Sequence, residues 1–205
     1  MIIEMRTCTL KPGSIAEAEK RFGASLPVRE KHSKLAAFWH TEIGLSNQII
    51  HVWVYKDFEH RAAVRYDTIE DEDWPPPIHE FVVHQESEVF LPAPFSPPLE
   101  PREVGPIFEM RQYTLKAGAI PGMIERWSEK IEDRQKCSPL VGAWYTQFGS
   151  LNKWCHIWAY KDANQRFSVR DSARAAGAWP PGRPPGTMVS QVNAILMPAA
   201  FSPIR

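Results

Sequence analysis

The sequence has little cysteine, no net charge and no long apolar run, and each shortage removes a class of protein. The three cysteines, Cys8, Cys137 and Cys155, are odd in number and lack metal-type pairing. A disulfide-stapled secreted scaffold or a metal site is therefore not expected, and reduced thiols in a cytoplasmic protein are the simplest reading. Lysine plus arginine equal aspartate plus glutamate, at 24 each. That balance argues against a nucleic-acid partner, because phosphate binding normally needs a basic face. No segment approaches the roughly 20 apolar residues that span a bilayer. The stretch Met1–Arg6 goes directly into a strand-like pattern, without the basic and apolar regions of a secretory signal. A glycine-rich phosphate loop and a G-x-S-x-G nucleophile motif are also missing.

What is present is repetition. At 205 residues and 43% hydrophobic composition, the chain can build one sizeable core or two small ones. Shifted by 105 residues it overlays itself. Glu4-Met5-Arg6 returns as Glu109-Met110-Arg111, and HVWVYKD from His51 returns as HIWAYKD from His156. Between 3–65 and 108–170, 25 of 63 positions are identical without a gap. That period is too long for a solenoid unit and suits a small domain. With one inserted residue the later parts match too, Trp74-Pro75-Pro76 with Trp179-Pro180-Pro181 and Phe95-Ser96-Pro97 with Phe201-Ser202-Pro203. Six prolines between Pro92 and Pro106 favour an extended linker. The expected organisation is 1–97, a linker at 98–106, and 107–205.

Within one copy, Ile3 to Leu10 alternates as a first strand. Ser14 with Glu17 reads as a capping box, and Ile15, Ala18, Phe22 and Leu26 follow at helical spacing over 14–32, with a bend expected near Pro27. Leu35–Ile43 and Gln48–Tyr55 read as a hairpin around Gly44–Asn47. Asp57 caps a second helix at 58–67, and Phe81–Leu91 is the last strand. The order β-α-β-β-α-β is the ferredoxin-like split βαβ arrangement, an α+β fold with sheet order 4-1-3-2. Both helices cover one sheet face. The other needs a cover, and a second copy supplies it by forming a closed or nearly closed barrel.

The pattern E-M-R-x-x-T-L-K-x-G, then W-x-T-x-x-G-x-x-N, then H-x-W-x-Y-K-D-x-x-x-R, then W-P-P resembles the NIPSNAP family, once per copy over nearly the whole chain. The resemblance implies a dimeric α/β-barrel fold, built here as a pseudo-dimer of two tandem domains. Its superfamily includes monooxygenases, haem-dependent enzymes and small-molecule isomerases, so the fold alone selects no chemistry. Two departures stand out. The first-strand tyrosine expected in the family is present as Tyr113 but replaced by Cys8. The turn reads Gly-Ser-Leu-Asn at 149–152 but Gly-Leu-Ser-Asn at 44–47, which leaves the local packing of the first turn open.

Strand alternation puts His51, Trp53 and Tyr55 on one face and Ile50, Val52 and Val54 on the other. The aliphatic set, with Met5, is expected to face the helices, as is Cys155. The polar and aromatic set, with Glu4, Arg6 and Cys8, is expected to line the space between the two sheets. Copy two adds Glu109, Arg111, Tyr113, His156, Trp158 and Tyr160. Such a wall suits a small-molecule ligand, with histidine as acid or base and arginine as an anion holder. The same residues can instead form a paired, filled core, since buried polar groups need partners whether or not they do chemistry. The pairs Arg61/Arg65 and Arg166/Arg170 lie one helical turn apart and are candidates to grip an anion, or to bridge to Asp57 and Asp162.

No catalytic residue is assignable and no cofactor is expected, although superfamily analogy leaves haem ligation by His51 or His156 open. A cytoplasmic small-molecule-binding protein is the leading expectation. An interaction scaffold and a haem- or oxygen-dependent oxidoreductase are the alternatives, and a homo-oligomer stays open.

Overall fold

Two sheets that are each covered by helices on one face can bury their bare faces only against one another. The computed structural model has that arrangement. It describes residues 1–69, 71–177 and 179–205. Glu70 of the acidic run 70–73 and Ala178 of the alanine-rich segment 173–178 lie outside the described residues. The first copy comprises β1 (Ile2–Leu10), α1 (Ile15–Arg29), β2 (Leu35–Ile43), β3 (Gln48–Tyr55), α2 (Phe58–Asp67) and β4 (Val82–Pro92). The second comprises β5 (Ile107–Leu115), α3 (Ile120–Ser128), α4 (Ile131–Gln135), β6 (Leu140–Phe148), β7 (Lys153–Tyr160), α5 (Ala163–Ala175) and β8 (Met188–Pro198). The strands close into one barrel in the order β1-β3-β2-β8-β5-β7-β6-β4. Each copy contributes the expected 4-1-3-2 order, and the seams are β2 with β8 and β4 with β6.

The local chemistry explains the element ends. Asp57 accepts from the His60 N–H at 2.8 Å, and Asp162 from the Gln165 N–H at 2.7 Å, so both N-caps form. Asn47 and Asn152 take left-handed backbone angles, φ 60° and 57°, at the hairpin corners. Thr41 donates to the Leu45 carbonyl and accepts from the Gln48 N–H; Thr146 does the same with Ser150 and Lys153. The two turns thus close alike despite their exchanged middle residues.

Ser14 differs from expectation. Its hydroxyl donates to the Lys11 carbonyl at 2.6 Å and Glu17 pairs with Arg21, so no capping box forms. The first helix is also shorter than 14–32. Pro27 sits inside α1 without ending it, whereas the corresponding span of copy two is divided between α3 and α4.

The face assignment is reversed. The barrel interior is one apolar cluster drawn from both copies, with Met5, Trp39, Ile50 and Val52 meeting Phe108, Met110, Trp144 and Ile157. Cys155 belongs to that interior, and burial pushes its thiol up to about 12. Trp53 and Tyr55 instead pack with Phe22 and Leu26 of α1 and Val64 of α2. His51 lies 5.1 Å from the Phe22 ring, centroid to centroid. The polar and aromatic set therefore lies under the helices. The reason is pairing: a sheet meeting a sheet offers few polar partners, while the helices bring buried arginines such as Arg29 and Arg134.

The tails cross between copies. Phe201 packs against Phe22 and Phe38 of the first copy, at 6.1 and 4.9 Å between centroids, and Phe95 stacks on Trp127 of the second at 6.2 Å. The linker is packed as well as extended: the Arg102 and Val104 N–H groups donate to Pro203 and Arg205 carbonyls. Ser202 Oγ accepts from the buried Phe38 N–H at 2.9 Å and donates to the Ile204 carbonyl at 2.8 Å. Ser202→Ala strands that amide, so it is expected to cost about 1–3 kcal/mol in urea unfolding. An unchanged midpoint would show that the tail contributes nothing to closing the barrel.

Candidate functional site

Each copy has a recess between the outer face of its sheet and its helices, roofed by its Trp-Pro-Pro segment. Antiparallel register sets the floor. Glu4 lies opposite Trp53 and Arg6 opposite His51; Glu109 lies opposite Trp158 and Arg111 opposite His156. The first recess encloses about 560 Å³ and the second about 250 Å³. Of the candidates, Glu4, Arg6, His51, Trp53, Tyr55 and Arg65 line the first. Arg111, Tyr113, His156, Trp158 and Arg170 line the second. Glu109 and Tyr160 are fully buried beside the second, and Arg61 and Arg166 bond to the two glutamates from the helices. Alternation on the strands brought these residues together as expected, but over the outer face and not inside the barrel.

One further arginine per copy completes the site. Arg29 of α1 sits with its guanidinium carbon 4.4 Å from the Trp53 ring centroid and 5.8 Å from that of Trp74. It donates to Ser33 Oγ at 2.8 Å and to Tyr55 Oη at 3.0 Å. Arg134 repeats this with Trp158 and Trp179, Ser138 and Tyr160. These stacked, bonded cations pin the Trp-Pro-Pro segment against the floor. Their recurrence 105 residues apart, together with that of Ser33/Ser138, was the available signal.

The histidines have one tautomer. Trp53 Nε1–H donates to His51 Nδ1 at 2.6 Å, and Trp158 Nε1–H to His156 Nδ1 at 2.9 Å. Indole is a donor only, so Nδ1 is bare and the neutral ring carries its proton on Nε2. Burial, reinforced by Arg6, pushes His51 down to about 3; burial with Arg111, Arg170 and Arg134 lowers His156 well below the usual histidine range. Each ring is thus a neutral N–H donor near neutral pH and not a base. Nor does that Nε2 have a lone pair for a haem iron, so the residues present do not fit haem ligation by these histidines.

The glutamates are ionised. Burial alone would raise Glu4, but bonds from Arg61 and Ser87 outweigh it and hold its carboxyl below the usual range. For Glu109, Arg166, Arg170 and Arg111 outweigh burial in the same way. The two pairs Arg61/Arg65 and Arg166/Arg170 therefore divide. Arg61, Arg166 and Arg170 hold buried glutamates on the floor, not Asp57 or Asp162, and Arg65 holds neither.

The NIPSNAP family model matches residues 3–97 and again 108–203. Protein NipSnap homolog 3B of Mus musculus is 29% identical over 213 residues, covering 98% of this chain and 85% of the relative. A NIPSNAP domain protein of Burkholderia xenovorans of known crystal structure is 32% identical over 48% of this chain and 100% of its own, with a TM-score of 0.46. A monooxygenase candidate of Fusobacterium nucleatum superposes over 97% of this chain and 92% of its own, with a TM-score of 0.66 at 11% identity. The last likeness is one of fold alone.

Proposed function

The chain belongs to the NIPSNAP family, a membership that carries its fold but no activity, and we propose that it binds a small molecule in the recess of its first copy. The observation that supports this is an unmet hydrogen-bonding demand in the floor of a recess. Glu4 is 1% exposed, and its Oε2 has no partner among the described residues, although Glu4 lines a cavity of about 560 Å³. A buried carboxylate oxygen without a donor is costly, and a ligand supplying one removes that cost. Trp53, Trp74 and Phe22 add apolar walls, so the site combines a few convergent polar groups with aromatic surface, as ligand sites do. The barrel interior is apolar and filled by packed side chains, so the ligand is not proposed there.

A cytoplasmic location accompanies this reading. It is supported by three unpaired cysteines, two of them buried on opposite faces of the sheets. No helix among the described residues is long and apolar enough to cross a membrane.

Native mass spectrometry of protein taken gently from its host is the test. A small added mass is expected, lost when Trp53→Ala opens the wall of the recess. Protein of unmodified mass, whose crystal structure holds only water in that recess, would sink the proposal.

A further inference from the structure

The two recesses differ at one position of their floors. Cys8 on β1 stands where Tyr113 stands on β5. In the second recess Tyr113 lies edge-on to His156, centroids 5.1 Å apart, and its hydroxyl accepts from Arg111 Nε at 2.9 Å. Arg111 also reaches Glu109 Oε1 at 2.8 Å, and Arg170 reaches Oε2 at 3.4 Å. Arg111 and Arg170 are thus both engaged by this site's own groups, while His156 Nε2 has no partner among the described residues. In the first recess the smaller Cys8 offers Arg6 no phenol, and its sulfur accepts from Gln85 at 3.3 Å. Arg6 and Arg65, the counterparts of Arg111 and Arg170, join no salt bridge among the described residues. Glu4 is held on Oε1 alone, by Arg61 at 2.7 Å and Ser87 at 2.6 Å.

The open recess thus carries charge to spare. Among the described residues three arginines, Arg6, Arg29 and Arg65, line it against one carboxylate, and that carboxylate already has Arg61. We infer that the first recess, and not the second, takes a small organic acid that also carries a hydrogen-bond donor. Its carboxylate meets Arg6 and Arg65, its apolar body lies against Trp53 and Trp74, and its hydroxyl or amino hydrogen goes to Glu4 Oε2. His51 adds an N–H donor to the same wall. The inference rests on the binding proposal above and gives it a chemical class and a location.

Calorimetric titration of the whole chain with 4-hydroxybenzoate, benzoate, benzamide and inorganic phosphate tests it. Saturation at one site per chain is expected for 4-hydroxybenzoate, about tenfold or more tighter than for benzamide or phosphate, with benzoate between. Arg6→Gln and Arg65→Gln, which keep most of the side-chain volume, should each weaken 4-hydroxybenzoate roughly 10- to 100-fold. Cys8→Tyr should abolish binding, with circular dichroism and the thermal midpoint checking that it folds. If Cys8→Tyr does not fold, the two arginine variants decide. Benzamide binding as tightly as the acid, two sites per chain, an unchanged affinity in the arginine variants, or no binding of either acid up to its solubility each overturns the inference. A neutral or cationic molecule found in the recess by native mass spectrometry would overturn the acid class and leave the binding proposal standing. An empty recess in both experiments overturns both.

Discussion

Glu109→Ala is expected to destabilise the protein by about 3–5 kcal/mol, read as a fall in the urea midpoint at unchanged slope. Glu109 is fully buried at the centre of a cluster. Its Oε1 accepts from Arg111 at 2.8 Å and Arg166 at 2.6 Å; its Oε2 accepts from Arg170 at 3.4 Å and, at the limit of hydrogen bonding, from Tyr160 at 3.5 Å. Removing the carboxylate leaves several guanidinium groups facing one another without an anion, and Arg111 is only 6% exposed. The matching change in the first copy, Glu4→Ala, should cost less, about 1–3 kcal/mol. Among the described residues Glu4 has a single arginine partner, Arg61, whose side chain is 25% exposed and can turn to water. Equal losses would show that the two floors are not closed to different degrees.

That inequality was only half visible in the sequence. The exact recurrence of Glu4, Arg6, His51, Trp53 and Tyr55 after 105 residues made the duplication, the strand order and the barrel legible. β2, β3 and α2 occupy the residues expected of them. Alternation sorts side chains into two sets, but it does not say which set faces which layer. Hydrophobicity alone places the aliphatic set against the helices. The correcting signal lay in the helices themselves. α2 offers Arg61 and Arg65 one turn apart and buries only Val64, so a helix of that kind needs a polar floor beneath it. With that floor under the helices, the aliphatic strand faces must meet across the barrel. The Cys8 departure is visible in the sequence, yet its consequence depends on where Arg6 points, and no single-residue pattern carries that. The packed linker escaped for a similar reason: proline content predicts extension but not the Arg102 and Val104 pairings with the distant C-terminal tail.

Acid should unfold this protein earlier than its carboxylates alone would. His51 and His156 are neutral in the fold, His51 down to about 3 and His156 far below its usual value. Unfolded histidine takes its proton near pH 6.5. Below that pH the unfolded chain holds two protons that the native chain excludes, so stability is full above about 6.5 and falls as pH drops. Each histidine contributes a slope approaching about 1.4 kcal/mol per pH unit, and the pair costs about 4 kcal/mol between pH 7 and 5.

Other groups act elsewhere on the scale. The lowered carboxyls of Glu4 and Glu109 stabilise above their unfolded pKa, near 4.5, and lose that contribution only as pH falls further. His40, raised by its bond to Glu19, has the opposite sign; its contribution is fully present below about 6.5 and is lost at higher pH. The interval from about 6.5 to 4.5 therefore belongs mainly to the two buried rings. His51→Gln with His156→Gln keeps an acceptor for the tryptophan N–H groups and removes the titration. Urea unfolding at pH 7, 6 and 5 should show the natural sequence losing about 4 kcal/mol between the first and last pH while the double variant changes little over that interval. Parallel losses in both proteins would mean that the histidines are not held neutral by their burial between α1, α3 and the strands beneath.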